Sequence, residues 1–220
     1  SIGAKPLAIT NCLNFGNPEN PEIMGEFAEC LLGIKEACQF LDYPVVSGNV
    51  SFYNGTNNKN IFPTPVIGGV GVISKFKKVL DNRIKKENSI VLLIGKTFGH
   101  LEQSVFLEEI YSITYGKPPE INLVNEKNNG ESIQELIKNN LINSLHDVSS
   151  GGLITALAEM TIGSNFGLRI DRPKKLTNLF KYFFGEDQSR YIAEIEKNNF
   201  EKVEKILKKN NIFYENIGVT

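Results

Sequence analysis

Groups that announce a metal or redox centre are scarce in this sequence of 220 residues, which has three cysteines and two histidines. Cys30 and Cys38 stand eight apart in a helical pattern, a rise of about 12 Å, whereas a disulfide needs Cα atoms within about 7 Å. The odd number of thiols, with Cys12 the third, points to a reducing, cytosolic setting. Cys30 and Cys38 read as helix packing residues, with no close His or Cys to complete a zinc site. Neither sign of charge is in excess: 24 basic side chains face 25 acidic ones. The first 75 residues and the remainder are each near balance, so no footprint for nucleic acid or an anionic membrane is legible. Long apolar runs are missing as well. Stretches such as Ile90 to Ile94 fall far short of the roughly 18 residues that span a bilayer, and no signal sequence opens the chain. What is present is ordinary for a globular protein. Hydrophobic residues at 41%, charged residues at 22% and 14 Phe argue against a disordered tail and for a sizeable core. At about 150 residues per domain the length predicts one large domain or two small ones. The chain opens on Ser1, with a short lead before Leu7 to Ile9, which suggests a piece cut from something longer.

Residues 6 to 10 read as a short strand, followed by a polar loop from Asn11 to Pro21. Ile23, Phe27, Leu31, Ile34, Cys38 and Leu41 then recur at spacings of three and four, one face of a helix. That helix should end near Asp42, because Pro44 pushes the residue before it out of the α region. Val45 to Tyr53 is β-prone around Gly48-Asn49, and a polar tip over Asn54 to Asn60 predicts a hairpin-like return. Val66 to Ile73 is apolar and rich in glycine, as in a strand that something approaches closely. Lys, Arg and Asp dominate Ser74 to Asn88, which places a domain boundary near residues 76 to 88. Beyond it the pattern predicts a strand from Ile90 to Gly95 and helices near 103 to 111, 129 to 139, 153 to 161 and 200 to 209. It also predicts a terminal strand over 213 to 219, in α/β layers. Phe180, Tyr182, Phe183 and Phe184 read as a strand leading to an edge.

Four segments could carry chemistry. Asn11-Cys12-Leu13-Asn14-Phe15-Gly16-Asn17-Pro18 offers amides and a glycine between a strand and a helix, suited to a phosphate or a metal-bound water, or simply to a turn. Gly48-Asn49 inside a β-prone run marks a bulge, a close ligand approach or a hairpin turn. His146-Asp147-Val148-Ser149-Ser150-Gly151-Gly152-Leu153 enters a helix that Ser149 or Ser150 can cap, with a glycine pair able to form an anion nest or a plain helix start. Glu186-Asp187-Gln188-Ser189-Arg190 gathers two carboxylates, an amide and a guanidinium, as a solvated turn or a polar edge. Neither His100 nor His146 has a visible triad, and each reads as structural.

These segments together resemble a known family. Gly3 to Thr10, Leu13 to Pro18, Gly48 to Asn54, Pro63 to Gly68, His146 to Leu153 and Glu186 to Arg190 are similar, in order, to the second half of the large subunit of phosphoribosylformylglycinamidine synthase. The resemblance implies an AIR synthase-like architecture of mixed α/β (α+β) class. A partial ferredoxin-like domain over residues 1–80, of a kind that pairs into a shared barrel, would precede an α/β domain over 81–220.

It implies an ATP-dependent C–N ligase of purine biosynthesis, converting formylglycinamide ribonucleotide and ammonia to the amidine, with ATP and magnesium as cofactors. By position it implies ATP contacts at Asn11 and Gly48, magnesium at Asn49 and the ribonucleotide at Ser51. The family usually has Asp where this chain has Asn11, a change that keeps a hydrogen bond and removes a charge. Asp147, Glu186 and Gln188 would line a pseudo-equivalent site. No catalytic residue is expected in the chain, so it should be a C-terminal fragment that is inactive alone. Its partners would be the missing N-terminal half, glutaminase and small accessory subunits, and a second copy in a homodimer. Another AIR synthase-superfamily enzyme, such as AIR synthase or selenophosphate synthetase, or a non-catalytic scaffold, are the alternatives.

Overall fold

Most strands and helices form where the apolar periodicities place them, with exceptions in the second unit, but the pairing of strands departs from the local pattern. The computed structural model describes residues 2–57, 59–73, 79–173 and 178–220. The chain divides into one unit of Ala4–Ser74 and another of Lys75–Thr220 with Ser1–Gly3. The expected boundary near 76 to 88 falls partly on residues 74–78, outside the described residues.

In the first unit β1 (Lys5–Asn14) leads into α1 (Pro21–Leu41) and back to β2 (Val45–Ser51). This helical crossover lets β1 and β2 run parallel. Asn20 caps α1 through its side-chain oxygen, 2.9 Å from the Glu22 N–H, and Pro21 follows as the first helical residue. Asp42 closes it in a left-handed conformation, φ 53°. The helix lies on one face of the sheet, where Leu13, Phe15 and Ile23 are buried with Phe27, Cys30, Ile34 and Phe52 packed around them. Phe27 meets both Phe15 and Phe52 edge-on at 5.1 Å.

The polar tip forms a small ribbon of β3 (Gly55–Thr56) and β4 (Lys59–Asn60), and β5 (Thr64–Val72) completes the unit. The sheet order is β2-β1-β5, with β5 antiparallel to β1. The expected hairpin return between β2 and β5 is therefore wrong, since β1 lies between them. β1 also runs four residues further than its pattern predicted. Asn11 to Asn14 are laddered on both sides, and two strand partners outweigh the turn preference of asparagine. Close approach at the glycines of β5 is real: the Tyr43 hydroxyl donates to the Val70 carbonyl at 3.2 Å, and a Cβ on Gly69 would sit 2.7 Å from that hydroxyl.

The second unit holds a five-stranded sheet. Its elements are β6 (Ile90–Ile94), α2 (Val105–Tyr111), α3 (Leu123–Lys138), β7 (Ser144–Asp147), α4 (Gly152–Thr161), β8 (Arg169–Ile170), α5 (Leu179–Phe184), β9 (Tyr191–Ile195), α6 (Phe200–Lys209) and β10 (Tyr214–Val219). Strand order is β7-β9-β6-β10-β8, and every pair is antiparallel. All of β6 is buried because helices cover both faces. Leu92 and Ile94 pack with Leu136 of α3 and with Val203 and Leu207 of α6. Val91 and Leu93 pack with Leu153, Leu157 and Met160 of α4 and with Tyr182 of α5.

The aromatic run at 180 to 184 is helical, not a strand. Asn178 caps it at the Lys181 N–H, and Tyr182 turns inward while Phe180 and Phe184 stack on Phe106 from the other side. α3 starts six residues before its expected beginning, capped by Asn122 at the Asn125 N–H. Among the described residues no helix is long and apolar enough to cross a membrane.

Candidate functional site

The β1–β2 ladder decides which polar residues meet. Its register sets Asn11 beside Gly48, Cys12 beside Asn49 and Asn14 beside Ser51. Four residues singled out in the sequence, Asn11, Gly48, Asn49 and Ser51, thus share one short length of two parallel strands. Gly48-Asn49 is neither a bulge nor a turn, because the register from Thr10 and Ser47 to Asn14 and Ser51 is unbroken. What approaches the glycine is Asn11. A Cβ at residue 48 would lie 2.9 Å from Asn11 Cγ and would collide with the Asn11 side-chain and backbone oxygens.

Thr10, Asn11, Cys12, Ser47, Gly48, Asn49, Val66 and Gly68 line an open groove of about 450 Å³. The Ser47 hydroxyl donates to Thr10 Oγ1 at 2.8 Å. Asn14 Nδ2 reaches the Thr64 carbonyl at 3.4 Å and Cys12 Sγ at 3.5 Å. The lining carries hydroxyls, amides and a thiol, and no carboxylate or ammonium. Such a surface suits phosphate oxygens and sugar hydroxyls by neutral hydrogen bonds. Among the described residues no group of three or more His, Cys, Asp or Glu could hold a metal. A single exposed Asn49 carbonyl oxygen fits magnesium only in the manner of an ion that keeps waters and takes its other ligands from phosphates.

The other three candidates lie in the second unit. Asp147 ends β7 opposite Tyr191, its side chain 53% exposed and 3.8 Å from His146 Nδ1. Burial, aided by Glu126 and Asp147, pushes the Tyr191 phenol up to about 12. Gln188 is exposed in the turn before β9. Glu186 is already engaged: its Oε1 accepts from the Val105 N–H at 2.9 Å and the Gly151 N–H at 2.8 Å, the starts of two helices. Neither Ser149 nor Ser150 caps α4. Gly151 takes the cap position with φ 80°, which glycine adopts freely; its N–H alone meets the Glu186 carboxylate, while the Gly152 N–H donates to the Ser149 carbonyl at 3.0 Å. His146 pairs with Glu159 at 2.9 Å, and His100 Nε2 lies 2.8 Å from the Lys117 carbonyl.

Several residues with strong roles went unassigned in the sequence. Asp187, 4% exposed, accepts from the N–H groups of Phe98, Gly99 and His100 at 2.9, 2.9 and 3.0 Å. Arg190, buried beside it, donates to the carbonyls of Gly185 and Asp187 and to Thr97 Oγ1. Asn54, quoted within the Gly48 to Asn54 motif, ties Ser51 to the end of β1. The signal for Asp187 and Arg190 was their crowding after an aromatic run. No local pattern marks Asn54.

The family model described as AIR synthase related protein, C-terminal domain, matches residues 86–220, and that of the N-terminal domain matches 1–73. The phosphoribosylformylglycinamidine synthase subunit PurL of Pelagibacter ubique is 53% identical over 219 residues, 100% of this chain and 30% of that protein. Its namesake from Rhodopseudomonas palustris strain TIE-1 is 47% identical over 220 residues, with the same coverage. The chain therefore spans about 30% of the length of these curated relatives. Among solved structures, T. maritima PurL complexed with FGAR superposes with a TM-score of 0.72 at 16% identity, covering 99% of this chain and 36% of that one. E. coli HypE, a hydrogenase maturation protein, gives 0.69 at 16% identity, over 99% of this chain and 68% of its own. Likeness at this identity shows a shared fold of mixed α/β class.

Proposed function

Because the chain belongs to the AIR synthase related proteins, we propose that it works as part of a phosphoribosylformylglycinamidine synthase. The observation that carries this reading is the β1–β2 ladder, which gathers Asn11, Gly48, Asn49 and Ser51 on one short stretch, the first three of them lining an open groove. The names of relatives identical at up to 53% over the whole chain support it. In that reaction the amide oxygen of formylglycinamide ribonucleotide takes the γ-phosphoryl group of ATP, and ammonia then displaces phosphate to leave the amidine. Asn11 and Gly48, packed against each other, would receive the nucleotide, and Ser51 would hydrogen-bond the ribonucleotide. The Asn49 carboxamide oxygen would hold magnesium, which neutralises charge on the transferring phosphoryl group.

On this reading residues 1–80 form a partial AIR synthase N-terminal-like domain and 81–220 the C-terminal-like domain. The latter acts as scaffold, since Glu186 and Asp187 are bound to backbone amides of their own unit. All nine residues of β5 are exposed, and a second sheet of the same kind, from the rest of the enzyme or another copy, would cover them. Glutaminase and accessory subunits in the cytoplasm would supply ammonia.

The test is phosphate release by the whole synthase across a magnesium titration. Asn49→Ala should lower turnover and raise the magnesium requirement with little change in melting temperature. Asn49→Asp should lose less, because magnesium accepts carboxylate oxygen. Wild-type turnover and magnesium dependence in Asn49→Ala would overturn the assignment.

A further inference from the structure

Ser51 ends β2, and the turn after it is shaped to hold its side chain. The chain bends at Tyr53 with φ 61°, a left-handed conformation uncommon for an aromatic residue and kept only where the surroundings enforce it. Enforcement is visible: the Tyr53 N–H donates to the Gly16 carbonyl at 2.9 Å, and the Asn54 N–H to the Phe15 carbonyl at 3.2 Å. The turn delivers the Asn54 carboxamide between the ends of β1 and β2. There Nδ2 lies 3.0 Å from the Phe15 carbonyl, 2.9 Å from the Ser51 carbonyl and 3.1 Å from Ser51 Oγ. Oδ1 is 3.3 Å from the same Oγ.

Resting on the reading of Ser51 as a ribonucleotide contact, we propose that Asn54 is a positioning residue that presents the Ser51 hydroxyl as a donor to an acceptor oxygen of the ribonucleotide, such as a phosphate oxygen. A carboxamide carries both a donor and an acceptor. Without ligand, the Ser51 O–H has Asn54 Oδ1 to donate to. With an acceptor oxygen in place, the O–H turns to the ligand while an Nδ2 hydrogen supports Oγ from behind. Either polarity holds Oγ in one orientation, so no rotamer search accompanies binding.

The experiment is a double-mutant cycle in the whole synthase, reading KM for the ribonucleotide, KM for ATP, kcat and melting temperature. Ser51→Ala should raise the ribonucleotide KM roughly 2- to 13-fold, the equivalent of one neutral hydrogen bond, and leave KM for ATP unchanged. Asn54→Ala should raise the same KM in the parent enzyme and add less than about twofold in the Ser51→Ala background, because its effect passes through Ser51. Should Asn54→Ala fold poorly, Asn54→Asp keeps the shape and the acceptor but lacks the donor, and the same pattern is expected of it. An Asn54 variant that shifts melting temperature alone, or whose effect multiplies with that of Ser51→Ala, overturns the positioning role while leaving the Ser51 assignment in place. If Ser51→Ala itself leaves the ribonucleotide KM unchanged, the functional reading of Ser51 falls and this inference with it.

Discussion

Removing the carboxylate of Glu194 should destabilise the second unit more than any single surface change. Glu194 sits in β9 between β6 and β7 with no exposed area. Its Oε1 accepts from the Lys86 N–H at 2.9 Å and the Ser89 hydroxyl at 3.0 Å. Its Oε2 accepts from the Lys85 N–H and the Ser144 hydroxyl, both at 2.9 Å. Two donors on each oxygen satisfy a buried charge by dipoles, and they tie the segment before β6 to the centre of the sheet. In Glu194→Ala all four donors lose their acceptor. Each buried group left unpaired costs about 1–3 kcal/mol, partly offset because a desolvated charge is also removed. The net loss should be about 3–5 kcal/mol, the range found when one partner of a buried ionic network is deleted. Glu194→Gln keeps one acceptor oxygen but turns an NH2 toward a backbone N–H that cannot reverse its polarity, so it should fall between Ala and wild type. With no tryptophan in the chain, urea unfolding is best followed by far-UV circular dichroism, and amide exchange at Lys85 and Lys86 reads the local effect. A Glu194→Ala variant within about 1 kcal/mol of wild type, with both amides still protected, would refute the reasoning.

Glu186→Ala should cost about 1–2 kcal/mol, since one amide at each of two helix starts loses its acceptor, whereas Glu186→Gln keeps the acceptor oxygen and should lose only about 0.3–1 kcal/mol of charge–dipole attraction. Urea midpoints and exchange at Val105 and Gly151 check both. Burial raises the Glu126 carboxyl above its ordinary value of 4.5, against a hydrogen bond from the Ser189 backbone that lowers it. The folded state then binds the proton more tightly than the unfolded one. Its stabilising contribution is complete below pH 4.5 and lost as pH rises through the folded value. Glu126→Gln should therefore raise the urea midpoint at neutral pH, with the gain vanishing below pH 4.5; a gain equal at both ends would contradict it.

Elements whose signal is local were legible in the sequence. α1 carries its apolar stripe and its stop before Pro44, and β6 is a pure apolar run covered on both faces. β9 was not anticipated because Glu194 breaks its apolar pattern, and only the donors of a distant segment make that glutamate tolerable at the sheet centre. α5 was misread because four aromatics in five residues fit a strand as well as a helix until Asn178 and Phe106 are placed. At the candidate site, the amides and glycine were visible but not their pairing. Thr10 and Ser47 lie 37 residues apart in the chain, and the ladder that joins them depends on β1 lying centrally, which turn chemistry in Asn11 to Pro18 argues against.

The distribution of charge separates the roles of the two units. In the second, Glu186, Asp187 and Glu194 are each bound to two or three backbone amides, and Arg190 is turned onto carbonyls. These groups fix loops and helix starts, and a ligand could recruit them only by breaking that scaffold. In the first unit the groove offers exposed oxygens and amides with no formal charge, and Asn11 stands where a carboxylate would be more usual in the resembling family. A magnesium nucleotide keeps negative charge after its metal is counted, and a neutral lining neither repels it nor compensates it. If the groove takes such a nucleotide, as proposed, the compensating Lys, Arg or additional metal ligands would come from outside the described lining of the groove. On the proposed function, Asn49 and Ser51 would then select geometry, and the larger share of binding energy would lie outside the β1–β2 ladder.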